Sequence, residues 1–248
     1  MDATPFRESP VKVASGAGGR LRLLTLARPE KANAFDAATV VALTAGVDAA
    51  VSDGLPIAFM GEGRAFSGGF DFTGVNEHSE GDLLLRFVRI EMLLNAVGMA
   101  PVASFALVDG AAYGAAADLV TACTYRIGTA KAKFRFPGFR FGVALGTRRL
   151  AAVTGVEAAR AILLQNRTIG AEEALDIGLL THLVDEGDLL ATAERLLDGH
   201  QGLSSVATAR LLSLTTADTG DADLADLVRS LEPEGLHDRI ARYRGEHR

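Results

Sequence analysis

The chain has 248 residues, 48% of them hydrophobic, and a net charge of −6 with a pI near 5.4. That length suits one domain with a substantial core, and the acidity leaves no basic footprint for nucleic acid or for an anionic membrane surface. No apolar run reaches transmembrane length, the N-terminal MDATPFRESP lacks an apolar signal core, and the single cysteine, Cys123, cannot form an internal disulfide, which together predict a cytoplasmic protein. The five histidines (His78, His182, His200, His237, His247) show no ligand spacing, so no metal site is predicted.

After the flexible Ser15–Gly19 turn, Arg20–Leu26 alternates as a strand, and Arg28–Phe35 follows as an ordered loop. Asp36 is placed to cap a helix carrying Val40, Leu43, Val47 and Val51 on one face. Pro56–Met60 reads as a buried strand that runs into a glycine-rich loop, Gly61–Phe72. A polar stretch to Asp82 leads into a long helix with Leu84, Phe87, Val88, Glu91 and Leu94, and Pro101–Val108 is the next strand. Strand, helix, strand, loop and helix alternate in the manner of parallel crossovers, an α/β pattern. Tyr125–Thr129 is a short strand, residues 132–142 are rich in phenylalanine and glycine, and Thr147–Val153, Val156–Leu164 and Ala171–Ile177 are short helices. Leu180–Val184 is a last strand or extended link, and everything from Asp188 onward reads as helix. The expected organisation is a core over residues 1–190 and a helical C-terminal subregion over 191–248, together one functional domain.

The stretch around which the rest is arranged is VDGAAYGAAADLVTAC, Val108–Cys123. A strand enters a loop of the smallest residues, and a helix starts near Gly114. Strand end, loop and helix N-terminus gather unpaired backbone N–H groups at one point, where a ligand atom can approach closely. Asp118, one turn in, places a carboxylate beside that point. The rival reading is a strand packed tightly on a helix, with Asp118 merely favourable at the helix's positive end.

Several segments together resemble the crotonase (enoyl-CoA hydratase/isomerase) superfamily, in the family's order, from about Leu21 to Ile240. Arg28-Pro-Glu-Lys-Ala-Asn33-Ala34 resembles its RPEKxNA loop, Arg64-Ala-Phe-Ser-Gly-Gly-Phe-Asp71 its FSAGAD segment, and Asp109 through Asp118 its NGxAxGGGxEL segment. Ala171–Leu179 is similar to its A-EA---GL pattern, and Glu234-Gly235-Leu236 to the start of its final helix. The resemblance implies a crotonase-like (ClpP/crotonase) fold of repeated ββα units, with C-terminal helices that build a homotrimer or a hexamer of two trimers. It implies an acyl-CoA thioester as ligand, fatty acid metabolism as the setting, and no cofactor beyond the coenzyme A of the substrate. The Gly68 and Ala115 N–H groups would form an oxyanion hole for a thioester enolate, each donor worth about 3 kcal/mol. Lys31, Ala32, Asn33, Ala34, Arg64, Ala65 and Phe66 would hold coenzyme A, mainly through backbone; Lys31 and Arg64 are equally readable as solvated cations. Asp71 would brace its loop, and Phe70, Tyr113, Phe136 and Gly138 would line the acyl pocket.

The chain departs from that pattern where hydratases carry two glutamates. Asp118 stands at the first position, one methylene short, and Gly138 at the second, with no side chain at all. The loop after Gly138 is also about three residues shorter than the family's GxIPGAGGTQRL. Hydration divides water activation and proton delivery between two groups, so Asp118 as the one catalytic acid–base group departs from standard hydratase or isomerase action. The alternatives are other enolate reactions needing one carboxylate (decarboxylation, C–C cleavage, thioester hydrolysis) or a non-catalytic acyl-CoA binder. Tyr113, Glu77, His78 and Glu91 are candidate proton relays, the last three more simply read as solvated. Arg140, Arg148 and Arg149 are candidates for a substrate carboxylate, and equally for subunit contacts or coenzyme A phosphates. Cys123 reads as a packed thiol.

Overall fold

The computed structural model describes residues 9–233 and 235–245. The N-terminal residues 1–8, Glu234 of the Glu234-Gly235 pair and His247 lie outside the described residues. Strand β1 (Val11–Gly16) turns back through a 3-10 turn, Ala17–Gly19, into β2 (Leu21–Leu26). The two pair antiparallel, Val11 opposite Leu26, although no strand is expected before Ser15 from the sequence. Helix α1 (Ala37–Ser52) is capped by Asp36, whose carboxylate accepts from the Thr39 N–H at 2.8 Å. It leads to β3 (Ile57–Gly61) and the short β4 (Ala65–Ser67). Helix α2 (Glu80–Gly98) opens with a capping box between Ser79 and Asp82. Then come β5 (Ser104–Val108), β6 (Ala111–Tyr113), α3 (Ala115–Ala122), β7 (Tyr125–Gly128) and β8 (Lys133–Arg135). A 3-10 turn, Gly138–Phe141, precedes α4 (Thr147–Thr154), α5 (Val156–Gln165), β9 (Ile169–Gly170), α6 (Ala171–Asp176) and β10 (His182–Leu183). Four helices close the chain: α7 (Leu189–Asp198), α8 (Ser205–Thr215), α9 (Gly220–Leu231) and α10 (Leu236–Gly245).

The strands form two sheets, in the orders β1-β2-β3-β5-β7-β10 and β4-β6-β8-β9. The larger is parallel from β2 onward, as strand–helix–strand crossovers require. Successive side chains in a strand face opposite ways. Ile57 and Phe59 of β3, and Ala106 and Val108 of β5, therefore join the main core with α1, α2 and α3. Ala58, Phe105 and Leu107 join a smaller cluster closed by Ala193 and Leu197 of α7. Helix α7 thus covers the outer face of the core sheet. The second sheet is not evident from the sequence: two- and three-residue strands carry no readable period, and the small-residue segments that form β4 and β6 read as loops.

Each ββα passage ends in a strand of the small sheet, and the chain leaves these strands on one side of the molecule. β4 hands over to the Gly68–Thr73 loop, β6 to α3, and β8 to the Gly138–Phe141 turn, with β6 lying between β4 and β8. The two small-residue loops and the phenylalanine-rich segment converge there.

Candidate active site

The β6–α3 junction is built to leave donors open. Gly114 stands at the N-cap with φ 53° and has no side chain to cap the helix. The Asp118 N–H reaches back to the Gly114 carbonyl at 3.0 Å, but no group among the described residues accepts from the Ala115 N–H. The opposing loop is tied down instead. Ser67 Oγ donates to the Asn33 carbonyl at 2.8 Å and accepts from the Gly69 N–H at 3.1 Å. The Gly68 N–H donates to the Ala32 carbonyl at 2.8 Å. Of the two expected oxyanion donors, that of Ala115 is open and that of Gly68 is engaged. The loops touch at Gly69, whose φ of 81° and lack of a Cβ let it lie directly against the Tyr113 carbonyl.

Between them is a cavity of about 120 Å³, into which Gly68, Phe70, Tyr113, Ala115, Asp118, Arg135, Phe136 and Gly138 all face. Its walls are largely aromatic. Phe70 stacks on Phe87 at 4.3 Å between ring centroids, and Phe72 meets Phe141 edge-on at 5.9 Å. Tyr243 of α10 packs 5.1 Å from Phe141 and closes one side, so the C-terminal helix completes the cavity. Phe72, Phe87, Tyr243, Leu145 and Leu163 are not among the sequence candidates for the pocket; Phe87, Leu163 and Tyr243 come from elements distant in sequence, while Phe72 and Leu145 lie in loops that carry no periodic signal. Phe134 and Phe66 lie in the core, while Phe139 stands half-exposed at the cavity.

Asp118 is 4% exposed, and its carboxyl makes no side-chain hydrogen bond among the described residues. It lies against Gly146, where any Cβ would collide with Oδ1. Burial pushes this carboxyl well above the usual carboxylate range; the Glu91 charge adds to the effect and Arg149 opposes it. Glu91 is wholly buried, contrary to its reading as a solvated helix residue. The helical period that puts it on the face of Leu84, Phe87 and Leu94 is the signal that could place it. Its Oε1 takes a 2.6 Å hydrogen bond from Arg149 Nη2, while Oε2 has no partner. Burial raises its pKa too, with Arg149 again opposing. Arg149 also donates to Asn95 and lies 3.5 Å from Asp223 Oδ2. Arg148 bridges Asp223 and Asp226. Both arginines are thus engaged with protein carboxylates, and neither they nor the exposed Arg140 line the cavity. The place of a cation there is taken by Arg135, which is absent from the sequence candidates for a substrate carboxylate.

At Gly138 the departure from a two-glutamate pattern is structural. A Cβ built there would come within 2.6 Å of the Val143 carbonyl, so the shortened loop occupies the space a side chain would need. Asn33 is buried and clamps the neighbouring loops: its Nδ2 donates to the carbonyls of Glu62 at 2.8 Å and Ala65 at 2.9 Å. Ala32 and Asn33 have φ near 50°, which turns this backbone tightly. Lys31 and Arg64 are exposed, with no ion pair among the described residues. Ala34 and Ala65 are partly buried and Phe66 fully so, which leaves Phe66 only its backbone to offer. Glu77 and His78 are exposed and lie outside the cavity. Asp71 accepts from Arg28 Nη2 at 3.1 Å and the Thr73 N–H at 2.9 Å. Burial opposes its ionisation, yet these partners hold its pKa below the ordinary value. Burial pushes the Cys123 thiol up to about 12, leaving it unreactive. Among the described residues no cluster of His, Cys, Asp and Glu could hold a metal, and no helix is long and apolar enough to cross a membrane.

The sequence profile described as Enoyl-CoA hydratase/isomerase matches residues 17–226. A crystal structure from Bordetella parapertussis, titled as an enoyl-CoA hydratase/isomerase, superposes with a TM-score of 0.91 at 41% identity, covering 94% of this chain and 98% of that one. A Rhodobacter capsulatus protein named as an enoyl-CoA hydratase is 37% identical over 172 residues, 68% of this chain and 66% of that protein. The peroxisomal fatty acid β-oxidation multifunctional protein AIM1 of Arabidopsis thaliana is 33% identical over 144 residues, 56% of this chain and 20% of that protein. The chain spans about a fifth to a quarter of the length of such plant multifunctional relatives.

Proposed function

The chain belongs to the enoyl-CoA hydratase/isomerase family, and from that premise we propose that it processes an acyl-CoA thioester by moving one proton at the carbon next to the thioester carbonyl. The observation that carries this reading is a single carboxyl, Asp118, facing a mostly aromatic cavity one helical turn beyond the open Ala115 N–H.

The thioester oxygen sits at the N-terminus of α3. There the Ala115 N–H and the helix dipole stabilise the charge it gains as the enolate forms. The Gly68 N–H joins when the ligand oxygen displaces the Ala32 carbonyl. One such donor is worth about 3 kcal/mol of barrier. Asp118, whose carboxyl burial pushes well above the usual carboxylate range, delivers its proton to Cα of the enolate, or takes one back in the reverse direction. A positioned acid–base group contributes about 10²–10⁴-fold. Asp118 is the only carboxyl lining the cavity among the described residues, and the space at Gly138 is closed. The reading therefore favours reactions completed by one proton transfer, including enolate protonation after decarboxylation or C–C cleavage, over two-group hydration.

The coenzyme A part of the substrate lies along the Lys31–Ala34 and Arg64–Phe66 backbones, with Lys31 and Arg64 free to meet phosphates. We place the protein in the cytoplasm as a homotrimer or a pair of trimers. Helix α8, which has no buried residue and exposes Val206 and Leu214, supplies an apolar face for such contacts.

The test is incubation with acyl- and enoyl-CoA esters in deuterated water, with products read by mass spectrometry. Deuterium at Cα that disappears in Asp118→Asn is the expected result. Two-group hydration by the wild type would remove the one-proton reading. Tight ester binding without any turnover would make the protein a binder, and no binding at all would remove the acyl-CoA assignment.

A further inference from the structure

The cavity holds a cation that the proposed proton transfer does not use. Arg135 ends β8, where its side chain stands on the opposite face from Phe134, a core residue. Its half-buried side chain lines the cavity among Phe136, Leu163 and other apolar groups. Only Nε has partners, the Asn166 carbonyl and Oδ1, each at a long 3.3 Å. Its two terminal nitrogens make no hydrogen bond or ion pair with any described residue. In parallel register beside it on β6 is Tyr113, which also lines the cavity and whose hydroxyl has no partner among the described residues. Paired positions on neighbouring strands lie about 5 Å apart with side chains on the same face. A guanidinium fork and a phenol thus stand side by side in a chamber that is otherwise mostly hydrocarbon.

We propose that the acyl group of the substrate ends in a second carboxylate, held by the terminal nitrogens of Arg135 with the Tyr113 hydroxyl beside them. The substrate is then the CoA thioester of a dicarboxylic acid, a class that rests on the acyl-CoA reading above. The chemistry is specific. A guanidinium presents paired donors to a carboxylate in a planar fork, and an apolar surround strengthens that bond over its value in water. An arginine whose terminal nitrogens have no partner among the described residues is a poor lining for a cavity meant for a plain hydrocarbon chain, because burying that chain against them strips water from the charge without replacing it.

Calorimetric titration of the full chain with glutaryl-CoA, valeryl-CoA and free coenzyme A tests this. The wild type is expected to bind glutaryl-CoA about 10- to 100-fold more tightly than valeryl-CoA, the range for a charged hydrogen-bonded pair. In Arg135→Met that ratio falls close to one, Arg135→Lys keeps an intermediate ratio, and Tyr113→Phe loses about threefold. Equal affinity of the wild type for the two esters overturns the proposal. So does an Arg135→Met protein in which glutaryl-CoA, valeryl-CoA and free coenzyme A all weaken alike, which would put the guanidinium on a coenzyme A phosphate. Failure of all three ligands to bind would remove the acyl-CoA reading itself, whereas binding without preference removes only the dicarboxylic one.

Discussion

The two loops that meet over the cavity each carry a buried aspartate, 6% exposed at Asp71 and 4% at Asp118, and their surroundings push the two pKa values in opposite directions. Asp71 is wrapped by Arg28 and the Thr73 N–H and ionises more readily than a free carboxyl. Asp118 has no hydrogen-bonded partner among the described residues, faces Gly146 and the Glu91 charge, and its pKa is pushed well above the usual carboxylate range. Asp118 lies deeper and has no donors among the described residues, so burial raises its pKa, whereas donors from Arg28 and Thr73 outweigh the shallower burial of Asp71; depth and donors together set the two apart. The first loop is held by its aspartate, whereas the second leaves its aspartate facing the cavity without a hydrogen-bonded partner among the described residues. The consequences for stability are opposite as well. Asp71, with a lowered native pKa, contributes stability above its unfolded value that is lost as pH falls through the native one. Asp118, with a raised pKa, contributes its share at acid pH and loses it as pH rises through the native value.

The sharpest way to separate the pair is Asp118→Asn. Turnover should fall about 10²–10⁴-fold while the melting temperature rises, by roughly 2–4 °C for each kcal/mol gained. The gain should grow with pH in calorimetric scans, since only the aspartate must ionise in a buried site; a gain that shrinks with pH would contradict the proton-holding role. Arg28→Met attacks the other loop. It strands Asp71 and also Asp36, 3.1 Å from the same guanidinium. Breaking a buried pair from one side costs about 3–5 kcal/mol. Urea unfolding at neutral pH should show this loss and lower pH should shrink it; a loss that does not change with pH would deny that Asp71 is held ionised.

Gly69→Ala tests the seam between the loops. Its positive φ and the Tyr113 carbonyl leave no room for a methyl group. Strain of about 1–3 kcal/mol should appear in the unfolding midpoint together with weaker ligand binding; loss of stability without loss of binding would show that the seam does not position the site. The mildest change is Glu91→Gln. It can keep the Arg149 hydrogen bond through the amide oxygen and removes the charge that opposes Asp118 ionisation. The pH midpoint of activity should move down, and an unmoved midpoint would show that burial alone sets the Asp118 proton.

Much of this site is legible in the amino-acid sequence. The Asp36 cap, the long amphipathic α2, the β5 strand and the small-residue entry to α3 follow from local chemistry, and spacing alone puts Asp118 one turn into α3. Glu91 is harder to place because its polarity suggests solvent, and the Arg149 that neutralises it lies in α4, 58 residues away. Arg135 gives no hint of its place because a lone arginine after a phenylalanine carries no signal until Tyr113 is known to lie beside it. The short strands of the second sheet are hidden for the same reason: they pair only with distant partners.

What the sequence determined by itself is the set of local conformations and the family pattern, since capping, alternation and glycine-dependent turns depend on neighbours along the chain. Only the tertiary structure decided which charges are paired and which are open. Arg148, Arg149 and Asp71 are engaged, whereas the Asp118 carboxyl and the terminal nitrogens of Arg135 are left facing a cavity. Ionisation depends on groups brought together from remote segments through space, and no local pattern records which of them will meet.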